Sequence, residues 1–535
     1  MNKRTFVFLV FLFLAGYMVQ GQPRTKNTTA NRPKIVVGLM VDQMKWDYLY
    51  KFENRYGEGG IKRLMREGFT CENAMIKHAP TVTACGHASV YTGTVPAING
   101  IAGNSWYDRE WGRSISNVED SIVEGVGGAG GKNRSPNNLL VTTIGDELRL
   151  ATNFQSKVVS VSIKDRGAIL PGGHTANGAF WHDGGKFVTS TYYMNSLPDW
   201  AKEFNSTDWA KKLMPKGWNT LYPINTYVLS DKDDKDYEIV FKGEDKPVFP
   251  HTKATLTSSP FGNTFTLEFA KRAIEGYELG KGNFTDMLTV SLSSPDMIGH
   301  QFGPTSIEVE DNYLRLDKDL ELFFNYLDSR FGKNEYLLFV TSDHGVNQSP
   351  GFLEENKLPT GVLDTRFVKN LSEVLKNKYG FPDMVIAYDN GQLYLNYEVI
   401  EKNNLDQDKI SEFIIRELKN DRGIQNAFIS EKLGSATLPE PLKSMYINGY
   451  HPKRSGDIVI IKSSGWKGGS RMGATHGDWN PYDAHIPLVW MGKGIRPGKT
   501  NRTVGMTDIA PTLAAILKIQ LPTGTTGEVI YEVVN

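Results

Sequence analysis

The chain has 535 residues, 40% hydrophobic and 22% charged, which allows a large core and roughly two or three domains. Its 60 basic and 60 acidic residues cancel, which argues against nucleic acid as a partner and against a polybasic membrane tether.

The opening MNKRTFVFLVFLFLAGYMVQGQ sets Lys3 and Arg4 before an apolar run at 6–19. This reads as a signal peptide over residues 1–22, so the mature chain is expected in a periplasm or secreted, with no membrane anchor after cleavage. No later stretch is long and apolar enough to span a bilayer. Cys71 and Cys85 are the only cysteines. They allow one disulfide in an oxidising compartment, although Cys85 inside a helix equally fits a buried thiol.

KIVVGLMVDQM, residues 34–44, predicts a strand buried on both faces that ends at Asp42. Residues 47–67 predict a helix. HAPTVTACGHASVYTGTVP, residues 78–96, predicts a loop running into a helix, with Thr81 or Thr83 at its start. A hydroxyl there serves as a cap or as a nucleophile, since unpaired N–H groups favour an anion at that end. A glycine-rich loop follows and ends near Asn104. Residues 140–151 predict a helix, and 157–170 a buried strand with Lys164 and Arg166 at its end. The core resumes with a strand leading to Asp296 and His300 (286–300), a long helix (306–331) and a strand ending at Asp343-His344 (335–346). Near the C-terminus stand ATHG, which contains His476, and the helical TDIAPTLAAILKI.

Segments 171–285 and 350–470 read as insertions, the second as a cap with a hairpin at 385–396 and a helix near 406–420. The core is expected in three pieces, 34–170, 286–349 and 471–535. Strands alternating with helices predict an α/β sandwich around a mostly parallel sheet, whose sites form at the C-terminal ends of the strands. Asp42, Lys164 with Arg166, Asp296, and Asp343 with His344 all fall just past such ends.

Asp42, Asp296, His300, Asp343, His344 and His476 supply three carboxylates and three imidazoles, a donor set suited to zinc, with manganese or iron as lesser options. Asp296 and His300 are spaced i, i+4 and share one face of a helical turn. Asp343 and His344 are adjacent, so in an extended segment they point to opposite sides.

VDQM, the Thr81–Gly93 segment, SPDMIGH, TSDHG, ATHG and TDIAPT together resemble the alkaline phosphatase superfamily. The branch it resembles holds the nucleotide pyrophosphatase/phosphodiesterases and the phosphate-irrepressible (PafA-type) alkaline phosphatases. The likeness runs over residues 34–530. It implies two zinc ions per chain, one held by Asp42, Asp343, His344 and the nucleophile, the other by Asp296, His300 and His476. Its spacing to Thr92-Gly93 and Asn104 favours Thr83 as nucleophile over Thr81. It further implies two in-line displacements through a phosphothreonine, with Asn104 and the Thr83 backbone N–H on nonbridging oxygens.

Lys164 and Arg166, in SIKDRGAI, match the K-x-R pair of the PafA-type monoesterases and suit the extra charged oxygen of a monoester dianion. The expected activity is therefore a broad-specificity phosphate monoester hydrolase, acting as a monomer on small molecules. A phosphodiesterase or nucleotide pyrophosphatase with the same metals is the alternative. An inactive binding protein would lack a ligand or the nucleophile, and none is missing. A sulfatase would need Cys or Ser before x-Pro-x-Arg, which neither cysteine has.

Overall fold

In β1 (Ile35–Val41) every residue is buried, and its side chains alternate between two cores. Ile35, Val37, Leu39 and Val41 join one apolar cluster, Val36 and Met40 another on the opposite face. Each such aliphatic burial is worth about 1.5–3 kcal/mol, which is why a two-faced strand is continuously apolar. The computed structural model describes residues 32–128, 133–364 and 366–534. The signal-peptide reading of residues 1–22 lies outside them.

In chain order the further elements that position the site are β2 (Phe69–Met75), α1 (Thr83–Thr92), β3 (Val158–Ser162), α2 (Asp165–Gly172), β4 (Gly178–Asp183), β5 (Lys186–Ser190) and α3 (Phe261–Gly276). Then come β6 (Asp286–Leu292), α4 (Ser294–Phe302), α5 (Ile307–Phe331) and β7 (Tyr336–Thr341). β8 (Val385–Asp389), β9 (Gln392–Leu395), α6 (Gln407–Leu418), β10 (Ile424–Ile429) and β11 (Ile458–Lys462) precede β12 (Leu488–Gly492), β13 (Gly498–Gly505) and α7 (Ile509–Leu517).

The centre of the main sheet runs β7-β1-β6-β3-β4, all parallel. Antiparallel β12 and β5 flank it, and β2 lies beyond β12. Register aligns the strand ends: Met40 pairs with both Thr341 and Ser291, and Ser291 pairs with Ser162. The residues after these four positions therefore emerge in one row. α5 buries Leu314, Leu320, Phe323 and Leu327 on one face of the sheet, and α7 buries Leu513 and Leu517 on the other. Helices on both faces of a largely parallel sheet make the expected α/β sandwich.

Two local expectations come out differently. The helix expected over 47–67 is broken into Tyr48–Lys51 and Ile61–Glu67, with Gly57, Gly59 and Gly60 between them; each glycine costs a helix about 1 kcal/mol. The strand expected over 157–170 ends at Ser162, and its second apolar run belongs to α2; short apolar runs do not distinguish helix from strand. Cys71 and Cys85 are both free and buried, and Cys85 Sγ lies 3.1 Å from Ile101 O. Segment 171–285 carries β4, β5 and α3, which extend the main sheet and its apolar cluster.

Segment 350–470 has its own antiparallel sheet, β8-β9-β11-β10. Its apolar cluster joins Leu393 and Ile458 of that sheet to Leu375 and to Ile410 and Ile414 of α6. No described helix is long and apolar enough to cross a membrane.

Candidate active site

The site is built where the four aligned strands end. Asp42 follows β1, Lys164 caps the start of α2 after β3, Asp296 sits in the first turn of α4, and Asp343 and His344 follow β7. α1 points its N-terminus at the same place. Its N-cap is Val82, with no side-chain cap, so neither threonine takes the capping role. Thr81 Oγ1 donates to Asp478 O at 2.7 Å and is thereby occupied. Thr83 Oγ1 instead faces the cluster, 3.3 Å from Lys164 Nζ and 3.4 Å from His344 Nε2.

Asp42, Asp343 and His344 offer ligand atoms all within 4.8 Å of one another, and so do Asp296, His344 and His476. His300 Nε2 is 3.2 Å from Asp296 Oδ1, so the i, i+4 pair does share one face of α4. Asp343 and His344 do not point apart. His344 Nε2 lies 3.4 Å from Asp343 Oδ2 and 3.5 Å from Asp42 Oδ1. The alternation rule fails because β7 ends at Thr341, and both residues sit in the irregular backbone beyond it.

Three observations fit this pocket to divalent metal ions. The first is the orientation of the imidazoles. His300 Nδ1 donates to Ala474 O (2.9 Å), His476 Nδ1 to Thr81 O (2.7 Å) and His344 Nδ1 to Gly345 O (3.0 Å). Each Nε2 is thereby turned inward toward the carboxylates, the nitrogen that a metal takes. Burial pushes the His344 imidazole down to about 3, which keeps it neutral. The second is that Asp42 Oδ1 and Asp343 Oδ2 are buried without hydrogen-bond partners. The third is charge: three buried carboxylates face a single ammonium, Lys164 Nζ, which donates to two of them, Asp42 Oδ2 (2.7 Å) and Asp296 Oδ2 (2.6 Å). Burial, and then the charge of Asp343, drive the Asp42 carboxyl well above its usual range. Burial opposes the Lys164 charge, but Asp296 and Asp42 hold that ammonium above its ordinary value.

Asn104 joins through α1, where its Oδ1 accepts from Ala84 N at 3.0 Å. That bond assigns the amide and leaves Nδ2 as its free donor. Arg166 lies in the first turn of α2. Its Nε is buried without a partner, and its guanidinium comes only within 3.9 Å of Asp165.

Sequence reasoning missed two residues. Gln43 has a left-handed backbone (φ 68°) and ties the two halves of the site together. Its N–H donates to Asp343 Oδ1 at 3.2 Å and its side-chain Nε2 to Asp296 Oδ1 at 2.6 Å. His87, fully buried, donates from Nδ1 to Thr83 O at 2.8 Å, stands 3.3 Å from Asp343 Oδ2, and accepts from Ser291 Oγ at 2.8 Å through Nε2. The i, i+4 spacing of Thr83 and His87 was the available signal for the second; nothing local marks Gln43.

Comparison with known proteins gives the family. The model of the family "Type I phosphodiesterase / nucleotide pyrophosphatase" matches residues 36–483. Alkaline phosphatase PhoV of Synechococcus elongatus is 51% identical over 96% of this chain and 95% of its own length. Alkaline phosphatase PafA of Elizabethkingia meningoseptica is 47% identical over 95% of this chain and 96% of its own. The crystal structure of wild-type alkaline phosphatase PafA superposes with a TM-score of 0.92, at 47% identity, covering 94% of this chain and 99% of that one. This chain belongs to the type I phosphodiesterase/nucleotide pyrophosphatase family, as an alkaline phosphatase of the PafA type.

Proposed function

We propose that this phosphatase is an exported, two-zinc enzyme that hydrolyses small-molecule phosphate monoesters with broad specificity through a covalent phosphothreonine on Thr83, releasing inorganic phosphate. The observation that carries this reading is Thr83 Oγ1 beside Lys164 Nζ (3.3 Å) and His344 Nε2 (3.4 Å), between two groups of inward-facing ligands.

Asp42, Asp343, His344 and Thr83 would hold one zinc ion, and Asp296, His300 and His476 the other. When bound, the pair supplies Lewis-acid stabilisation of the oxygens that enter and leave phosphorus. The protein's own groups do the rest. Thr83 attacks the phosphorus in line, the ester oxygen leaves, and water then displaces Thr83 with a second inversion, so configuration is retained overall. Lys164, already within reach of Thr83 Oγ1, and Arg166, with an unpartnered Nε, hold the charged nonbridging oxygens of the monoester. Asn104 Nδ2 and the Thr83 N–H donate to the same group from the end of α1. Gln43 and His87 keep the carboxylates and the Thr83 main chain oriented.

The test is kcat/KM for an aryl phosphate monoester against the matching diester, on zinc-loaded protein. A strong monoester preference is expected; a diester preference overturns this reading in favour of the phosphodiesterase one. Chelation is expected to abolish activity and to lower the melting temperature, because a ligand that binds only the folded state stabilises it. Zinc should restore both, and a chelated enzyme that remains active excludes the metal reading. Gln43→Ala is expected to weaken metal retention about 10–100-fold, the usual effect of losing a group that orients a ligand; competition with a chromogenic chelator measures it.

A further inference from the structure

The loop at 99–106 that delivers Asn104 is gripped on both sides by segment 350–470. Before Asn104, Arg454 Nη1 donates to Gly100 O (2.5 Å) and to Asn138 O (2.6 Å), the latter on the adjoining stretch of core. After it, Asn390 Nδ2 donates to Ser105 O at 2.7 Å. The Arg454 guanidinium also lies 4.8 Å from the centre of the Trp106 ring, which is buried. Arg109 extends the grip, donating to Leu395 O (3.0 Å) and pairing with Asp457 (2.8 Å).

Two features separate this from ordinary packing. First, the loop is bare where it is held. A Cβ on Gly100 would stand 2.5 Å from Arg454 Nη1, and one on Gly103 2.4 Å from Asn390 Nδ2. Gly100 also has a left-handed φ of 83°. Second, Arg454 forms no ion pair among the described residues, and burial pushes its guanidinium down to about 10. A partly buried cation without a carboxylate partner is costly; here Nη1 is spent on the main chain around Asn104.

The core holds the same stretch at other points: Leu140 N donates to Asn99 O (3.0 Å), Cys85 Sγ to Ile101 O (3.1 Å) and Asn117 N to Asn104 O (3.2 Å), and Ser105 begins a strand paired with 113–116. Between Asn99 and Asn104 the loop's own bonds are Gly100 N to Pro96 O (2.9 Å), Ala102 N to Gly100 O (3.1 Å) and Ile101 N to Asn99 Oδ1 (2.9 Å), so Gly100 O and Ser105 O are where segment 350–470 adds to its fixing. Asn104 needs precision, because its amide must meet Ala84 N on one side and present Nδ2 on the other. Misplacing a catalytic donor by about 1 Å costs on the order of 10²-fold in rate.

We propose that Arg454, seconded by Asn390, is a positioning residue for the phosphoryl-binding amide of Asn104, so that segment 350–470 acts on catalysis through the main chain at Gly100 and Ser105. This rests on the reading of Asn104 given above.

The test is a double-mutant cycle read in kcat/KM for an aryl phosphate monoester, with inhibition by inorganic phosphate as a second readout. Asn104→Ala is expected to lose about 10²–10³-fold, as for removal of one such donor. Arg454→Ala is expected to lose about 10–10²-fold in the wild type but less than about threefold in the Asn104→Ala background, since misplacing an absent amide costs nothing. Arg454→Lys, which keeps a donor for Gly100 O, should recover part of the loss. Phosphate inhibition should weaken in parallel in Arg454→Ala and Asn104→Ala. An equal loss from Arg454→Ala in both backgrounds overturns the proposal and leaves the Asn104 role standing. No loss from Asn104→Ala overturns the Asn104 role and the proposal with it. Should Arg454→Ala fail to fold by thermal unfolding, the same cycle with Asn390→Ala decides.

Discussion

Thr83→Ala is expected to lower kcat/KM for an aryl phosphate monoester by at least about 10³-fold, with metal content and melting temperature close to wild type. The hydroxyl it removes makes no structural bond that the fold needs: Thr83 is the first residue of α1 but not its cap. Its neighbours are Lys164 Nζ and His344 Nε2, both members of the cluster. Thr83→Ser keeps an oxygen at that point and should retain much of the activity. Thr81→Ala is the control. It removes the bond to Asp478 O, worth about 1 kcal/mol, and should act on stability far more than on rate. Rapid acid quench of wild type with radiolabelled substrate should trap a phosphoprotein that Thr83→Ala does not form. Full activity in Thr83→Ala would hand the nucleophile's role to Thr81.

Removing Lys164 and Arg166 together is expected to cost monoester hydrolysis about 10³–10⁵-fold while diester hydrolysis changes by less than about tenfold. The argument is the extra charge of a monoester dianion. Charge-assisted donors in a desolvated site are each worth roughly 10²–10³ in rate, and a diester lacks the third nonbridging oxygen, with its extra charge, that would collect them. Lys164 has a second function that the experiment must separate. Its ammonium bridges Asp42 and Asp296, so its removal strips counter-charge from two buried carboxylates. Metal content of the double variant should therefore be measured beside its kinetics. With metals retained, a monoester-specific loss supports the substrate role. An equal loss for both esters would make the pair structural.

Much of the architecture could be read from local pattern. The apolar runs at 35–41, 286–292 and 336–341 are strands of one parallel sheet, and the polar residues following them converge because their ends are in register. The i, i+4 pair Asp296–His300 lies on a helix, as its spacing requires. Local reasoning failed where two signals coincide in type. The apolar residues after Ser162 are helical, although they continue what reads as a strand. The Asp343-His344 pair sits in irregular backbone past the strand rather than in alternating strand geometry, so both side chains reach the same pocket. The strands of 171–285 extend the main sheet by backbone pairing at its edge and the helix joins its apolar cluster, neither of which composition expresses.

The sequence by itself determined the two-faced strands, the helix that follows the loop at 78–82, and the carboxylates and imidazoles at strand ends. These follow from hydrophobic period and from residue chemistry, which near neighbours in the chain decide. Only the tertiary structure decided which threonine faces Lys164, and that Gln43 bonds Asp296 at 253 positions' remove. It alone brought Asn390 to Ser105 across 285 positions, and Arg454 to Gly100 across 354. Contacts at such separations depend on strand register, on turn geometry and on bare backbone that lets another segment approach. None of these leaves a periodic trace in the chain.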